Sequence, residues 1–251
     1  MNSETMLLLG GGRALLMQLA HPVVAAAVAD HSDFLADPFG RLWNTLDLTL
    51  TVSFGDMEQS RAAAARITEV HRGVVGERKG RAYKALDPDL LLWVHATLVD
   101  TALVTHERFV GRMSTAARNR YYEEMKRQAV ALGVPTDALP ATYPDFAVYL
   151  ASTLEALRVS EEARKLSKGV LSPRVAPLLV PVIRGLSFVT TGLMPEALRE
   201  GFGLRWSPRK ERLLDAIASG IRLVAIPLLP PKLRRWTHAR EAAARAPAHI
   251  G

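Results

Sequence analysis

The stretch Asp56–Val75, DMEQSRAAAARITEVHRGVV, decides the fold class of the chain. Asp56 is a good helix N-cap, and Glu58 and Gln59 follow in the first turn. Gly76 provides a stop at the other end. The stretch therefore predicts a helix over 56–75.

One face of this predicted helix carries an apolar stripe, formed by Ala64, Ile67, Val70 and Val74. His71 lies on the same stripe, four residues after Ile67. A neutral imidazole in an apolar wall can ligate a haem iron, as the proximal histidine of globins does. The alternative is a core histidine bonded to a backbone carbonyl, and the spacing alone leaves both open.

The preceding stretch, GRLWNTLDLTLTVSFGD, predicts a second helix over 39–54. Arg41 and Thr45 are four residues apart and share one face of it, among apolar neighbours. A buried arginine needs an anion or several carbonyls, and a threonine hydroxyl near an iron could bond to oxygen or a ligand. The alternative is a structural pair of Arg41 with Asp37 or Asp47 at the helix end.

The rest of the chain is also predicted to be helical. A helix is expected over 12–30, with Pro22 kinking it or starting a second helix. The caps of later helices are predicted at Asp87–Pro88, which opens a helix to about Phe109, and at Ser114, with a stop at Gly133. No hairpin dipeptides stand out. We expect a single all-α domain over 1–251, with a Pro-rich, basic C-terminal third at about 170–240.

The composition excludes several chemistries. The chain has no cysteine, which removes disulfides, zinc–thiolate sites, iron–sulfur clusters and thiolate-ligated haem. There is no pair of Glu-x-x-His motifs for a di-iron centre, no G-x-S-x-G elbow and no P-loop. The glycines of LGGGRALL, residues 9–16, precede a helix N-terminus, where an anion could dock.

The net charge of +7 can suit a nucleic acid, an anionic membrane or an acidic ligand. Its cations are scattered among acids, and the densest cluster is PPKLRRW, residues 230–236, so no nucleic-acid partner is expected. The N-terminus lacks a basic n-region, and the longest apolar run, 175–194, is interrupted by prolines and Arg184. A cytoplasmic protein is expected, with peripheral membrane contact through the basic C-terminal third as an open alternative.

Several stretches, in this order, carry a resemblance to a known family. They are GGRALLMQLAHPVVAAAVADHSDF, DPFGRLWNT, ITEVHRGVVG, YKALDPDLLLWVHATLVD, LGVPTDALPATYPDF, TTGLMPEALREGFGLRW and PPKLRRW. Together they resemble the MpaB-like family of haem proteins, which includes the latex-clearing rubber oxygenases. The resemblance covers roughly residues 8–240.

The resemblance implies an all-α fold with a globin-like core that holds one haem b. His71 matches the proximal iron ligand, and Arg41 and Thr45 match an arginine and a threonine of the distal side. Asn44 stands where the rubber oxygenases have a lysine that can occupy the sixth iron site, which asparagine cannot do in the same way. His21 falls in a characteristic stretch and is included among the candidate haem-contacting residues.

The function implied is a haem b-dependent oxygenase or oxidoreductase that acts on a small apolar organic substrate with O2 or peroxide. His71 would hold the iron, and Arg41, Thr45 and Asn44 would line the catalytic side. The alternative is a non-catalytic helical haem- or lipid-binding protein, peripheral to a membrane. The sequence fixes neither the substrate nor the oligomeric state.

Overall fold

The structure, a computed structural model, describes residues 4–31, 38–78, 80–230 and 234–245, and the side chains there other than those of residues 38–43, 45 and 81. The described residues are mostly helical, which confirms the predicted all-α class. The globin-like core and the single domain over 1–251 stay predictions.

The helices follow one another along the chain with short connections. A 3-10 turn, Thr5–Gly10, leads into the following elements: α1 Gly11–Ala20, α2 Pro22–His31, α3 Pro38–Phe54, α4 Met57–Arg72, β1 Val75–Arg78, β2 Arg81–Lys84, α5 Pro88–Phe109, α6 Thr115–Ala131, α7 Tyr143–Ala156, α8 Glu161–Leu171, α9 Val180–Leu193, α10 Glu196–Gly201, α11 Pro208–Gly220, a π-helical turn Ile221–Ala225, α12 Ile226–Leu228 and α13 Thr237–Arg245.

The predicted caps are confirmed. The side chains of Asp56, Asp87 and Ser114 each accept a hydrogen bond from a backbone N–H in the first turn of the helix that follows. Pro22 starts a second helix rather than kinking the first, and the two axes bend by 103° at this break. These signals are local, so the sequence alone places them correctly.

The core forms around α5, which packs against the 3-10 turn, α1 and α6. Trp93, Ala96 and Val99 of α5 are almost fully buried, and they share one apolar cluster with Leu16 and Met17 of α1. The glycines before α1 allow this close packing: a Cβ at Gly10 would collide with Thr105 of α5, and a Cβ at Gly12 with Thr190 of α9. Here the glycines of LGGGRALL serve helix packing.

Arg13 joins three helices inside this core. Its side chain is buried and donates to the Leu193 carbonyl at 2.7 Å, to Thr101 Oγ1 at 2.6 Å and to Asp100 Oδ2 at 2.5 Å. The guanidinium thus pairs with a carboxylate and also closes the C-terminal end of α9. A buried charge with this set of partners orders α1, α5 and α9 relative to one another.

A small antiparallel hairpin, β1–β2, follows α4 where the sequence analysis predicts no strand. Gly80 adopts φ +75° in its turn, a conformation that favours glycine. The predicted helix over 56–75 accordingly ends earlier, at Arg72. Val75 belongs to β1 instead.

No helix among residues 4–31, 38–78, 80–230 and 234–245 is by itself long and apolar enough to cross a membrane. Thr5–Ala20 and Pro22–His31 reach that length and hydropathy only when taken together across their sharp bend.

Candidate functional site

The face of α4 that points inward begins at its capping box. Gln59 N donates to Asp56 Oδ1 at 2.8 Å, and Asp56 N donates to Gln59 Oε1 at 3.1 Å. Ala63 and Ala64 are buried, and further along the helix Ile67 is half-buried. The inward face is therefore more exposed to solvent toward the C-terminal end of α4.

Val70 does not belong to this face, in contrast to the stripe predicted from the sequence. Its side chain is 64% exposed. Thr68 and His71, by contrast, are half-buried and lie four residues beyond Ala64 and Ile67, respectively. The inward stripe is thus rotated toward Thr68 and away from Val70, and His71 stays on it.

The ring of His71 is oriented by its own helix. Nδ1 lies 2.9 Å from the carbonyl oxygen of Ile67, one turn earlier. A carbonyl only accepts, so this contact requires the tautomer with the proton on Nδ1, which puts the lone pair on Nε2. Metal-bound histidines commonly show this arrangement, with one nitrogen donating to a carbonyl and the other acting as ligand.

Helices α3 and α4 form a helical hairpin around Gly55 and Asp56. Ser60 Oγ donates to the Val52 carbonyl at 2.9 Å, and Val52 packs in one apolar cluster with Ala63 and Ala64. Leu48 and Ile67 join this cluster one turn farther from the bend. The two helices therefore pack face to face over the half nearest the bend.

The register of this hairpin brings the backbone of Arg41 level with that of His71. Arg41 precedes Gly55 by 14 residues, and His71 follows Asp56 by 15. At about 1.5 Å per residue, both lie about 21 to 23 Å along their helices from the bend. The backbone of Thr45 is level with Ile67 by the same measure.

The side chains of Arg41 and Thr45 lie outside the described residues, so their distal roles stay predictions. The side chain of Asn44 is exposed. On a helix, residues three and four apart share a face, which groups Arg41 with Asn44 and Thr45.

Two later helices brace α3. Gln128 of α6 donates to Ser53 Oγ at 2.6 Å. Helix α13 adds two contacts, from His238 Nε2 to Asp47 Oδ1 at 3.2 Å and from Arg245 to the Phe54 carbonyl at 2.6 Å. The second of these contacts satisfies a carbonyl at the C-terminal end of α3.

The β-hairpin ties the end of α4 to α2. Tyr83 donates to Asp30 Oδ2 at 2.8 Å, and Asp30 also pairs with Arg78. His31 Nε2 lies 3.1 Å from the Val75 carbonyl. Burial raises the pKa of Tyr83, and its hydrogen bond to Asp30 adds to the effect. The backbone just beyond His71 is thereby fixed against the C-terminal end of α2.

His21 lies elsewhere, at the bend between α1 and α2. Its ring centroid is 6.4 Å from that of Trp93, and its Nδ1 has no hydrogen-bond partner. Burial lowers the pKa of His21, opposed by the charges of Asp87 and Asp89. This position near the N-terminal end of α5 fits a structural role at the bend, and contact of His21 with a haem stays a prediction.

His95, on α5, is a core histidine. It is 4% exposed, and neither ring nitrogen makes a hydrogen bond of ordinary geometry. Burial lowers its pKa to about 4, partly offset by the backbone of Met125. Among the residues that the structure describes, no group of three or more histidines and carboxylates could hold a metal ion.

Comparison with known proteins gives the family of the chain. The family model of the ER-bound oxygenase mpaB/B'/Rubber oxygenase, catalytic domain, matches residues 1–223. An uncharacterised protein of Mycobacterium bovis and one of Mycobacterium tuberculosis are each 27% identical to the chain over 216 residues, which cover 83% of this chain and 85% of theirs. No solved structure matches the chain significantly.

The chain is thus an all-helical protein with a histidine-bearing helical hairpin, and it belongs to the mpaB/rubber oxygenase family. This membership identifies it as an oxygenase-type catalytic domain.

Proposed function

We propose that this protein is a haem b-dependent oxygenase or oxidoreductase that acts on a small apolar organic substrate with O2 or a peroxide. Family membership supports the oxygenase chemistry. The observation that carries the haem assignment is the oriented ring of His71, on the inward face of the α3–α4 hairpin.

The residues present fit a haem. A haem iron needs only one or two protein ligands, since the macrocycle supplies four, so no cluster of ligands is required. The Nδ1–Ile67 hydrogen bond orients the His71 ring as is common for histidines that bind a metal through the other nitrogen, so His71 would be able to hold the iron. When bound, haem b supplies an iron centre that can activate O2 or a peroxide.

The protein's own part is to bind, orient and polarise. His71 would hold the iron, and its Nδ1–H bond to the Ile67 carbonyl would keep the ring from rotating. Arg41 would supply a positive charge and Thr45 a hydroxyl donor to a bound oxidant or substrate. Asn44 has a neutral amide in place of a lysine, so the distal side carries one cation fewer than in a rubber oxygenase.

The first experiment is an absorption spectrum of the protein expressed with a haem precursor, followed by reduction and addition of carbon monoxide. We expect a Soret band that shifts with carbon monoxide. His71→Ala should lose most of the band, whereas the control His106→Ala should retain it, because His106 is a half-buried histidine near the end of α5. Circular dichroism of both variants checks that they are folded.

Two outcomes would contradict the proposal. A folded His71→Ala protein with a full, unchanged Soret band would exclude His71 as the ligand. A wild-type protein that takes up no haem after reconstitution would exclude the cofactor. If haem binds but no apolar substrate increases O2 consumption, the non-catalytic haem- or lipid-binding alternative is favoured.

A further inference from the structure

Two segments of the C-terminal third carry cations and no acids. Residues 163–195 include five lysines and arginines and no aspartate or glutamate, and residues 216–240 have the same count. The rest of the chain holds 22 of the 32 basic residues and all 25 acidic ones. The excess of positive charge in these two segments is therefore greater than the net charge of the chain suggests.

These segments also expose large apolar side chains. The most exposed ones in the described residues include Leu178 at 87%, Leu228 at 77% and Leu223 at 73%. Val182 and Val224 are each 57% exposed. Isolated exposed leucines are common, but a group of this size on two helical segments marks an interaction surface.

The exposed group continues the buried interface between α9 and α11. Val189 of α9 is buried in one cluster with Leu214 and Ala218 of α11. Val182 and Leu186 precede Val189 by seven and three residues, so they lie on the same face of α9. The apolar stripe of α9 is therefore covered by α11 at one end and uncovered at the other.

The extension of α11 also exposes apolar residues. Beyond Ala218, Ile226 is buried, whereas Leu223, Val224 and Leu228 are exposed. We give the name C-terminal face to the uncovered apolar residues of these two segments and their flanking arginines, which are Arg174, Leu178, Leu179, Val182, Arg184, Leu186, Leu223, Val224 and Leu228.

The arginines of this face have no anionic partner in the described part of the chain. Arg174 and Arg184 are exposed, and neither makes an ion pair or side-chain hydrogen bond in the described part of the chain. Arg184 also lines a cleft of about 320 Å³ with Phe188, Trp206 and Arg205. An aromatic-floored cleft with free guanidinium groups suits a phosphate-bearing headgroup.

We propose that the C-terminal face docks onto an anionic lipid bilayer. Its leucines and valines enter the boundary between headgroups and acyl chains, and Arg174 and Arg184 contact lipid phosphates. Charge decides against a second copy of the chain, because two such faces would bring cations together with no acids to neutralise them. This inference does not depend on haem, so it stands or falls separately from the proposed function.

The test is flotation of the full-length protein with vesicles of phosphatidylglycerol and phosphatidylcholine, compared with pure phosphatidylcholine. Binding should require phosphatidylglycerol and weaken at high salt. The variant R174E/R184E should bind at least tenfold less, since each cation near the surface contributes about fivefold. The variant L178S/L228S should also bind at least about tenfold more weakly, because each leucine buried in the bilayer contributes a factor comparable to that of one cation.

Matched controls use residues outside this face. R120E/R127E removes two exposed arginines of α6, and Val148→Ser removes an exposed apolar residue of α7. The charge control should lose much less binding than R174E/R184E, and Val148→Ser should bind like the wild type. All these positions are exposed, so the variants should fold.

Three outcomes would overturn the proposal. One is no flotation with phosphatidylglycerol vesicles, and another is equal loss in the face variants and their controls. The third is a wild-type dimer, seen by light scattering, that L178S/L228S converts to a monomer while vesicle binding is absent. That result would assign the face to self-association.

Discussion

Helices α4 and α5 each present a histidine to the interior, but the two histidines differ in burial and in hydrogen bonding. Twelve residues of α5 are buried, against two of α4, so His95 is enclosed while His71 is half-open. His95 lacks hydrogen bonds of ordinary geometry, whereas His71 is oriented by the Ile67 carbonyl. The difference teaches that burial alone does not mark a candidate ligand, and that a ring oriented through one nitrogen by a backbone carbonyl is the better sign.

The largest effect on stability should come from the α5 side, at Arg13. Arg13→Met leaves Asp100 without its partner in a largely enclosed site, and should lower the free energy of unfolding by about 3 to 5 kcal/mol. The control Arg118→Met breaks a partly exposed pair with Glu107 and should cost about 1 kcal/mol or less. Urea denaturation of the three proteins measures both, and equal losses would contradict this account of Arg13.

The next effect is the pH dependence caused by His95. Its pKa is about 4 in the folded protein and 6.5 in the unfolded chain, so only the unfolded chain binds the proton between these values. The contribution of this group to the free energy of unfolding is therefore fully present above about pH 6.5. It is lost as the pH falls toward 4, which lowers the free energy of unfolding by up to about 3 kcal/mol.

The variant His95→Leu isolates this contribution. Between pH 7 and pH 4.5, its free energy of unfolding should decline less than that of the wild type. At pH 7 it should be within about 1.5 kcal/mol of the wild type, because the shape change is modest. Parallel pH curves for the two proteins would show that His95 is not the titrating group.

The smallest effect on stability should come from His71. His71→Ala removes one half-exposed ring and its hydrogen bond, so the apoprotein should lose about 1 kcal/mol or less. This small loss of stability in the apoprotein, together with the expected loss of haem, would identify His71 as a ligand rather than a core residue. A loss of several kcal/mol in the apoprotein would instead make His71 a packing residue like His95.

Local features of the sequence predict much of this fold. The caps at Asp56, Asp87 and Ser114 are confirmed because each acts on backbone groups two or three residues away. The rotation of the α4 stripe was mispredicted, since a period of 3.6 residues allows either Thr68 or Val70 to follow Ala64 and Ile67. Only the neighbouring helix decides between them.

Features that depend on distant partners could not be predicted. Arg13 meets Thr101 and Leu193, 88 and 180 residues away, and no local pattern indicates that pairing. The glycines at 10 and 12 suggested an anion site, but their neighbours Thr105 and Thr190 show their use in packing. For the candidate site, the spacing left His71 open between ligand and core residue, and only the family resemblance favoured the ligand.

The brace of α13 on α3 has an evolutionary consequence. The family match ends at residue 223, so His238 and Arg245 lie beyond the segment that defines the family. Relatives can therefore diverge in α13 without altering any residue of the shared segment. Helix α13 contacts α3, which carries Arg41 and Thr45. Substitutions in α13 are therefore a way for evolution to adjust the enzyme from outside the segment that the family shares.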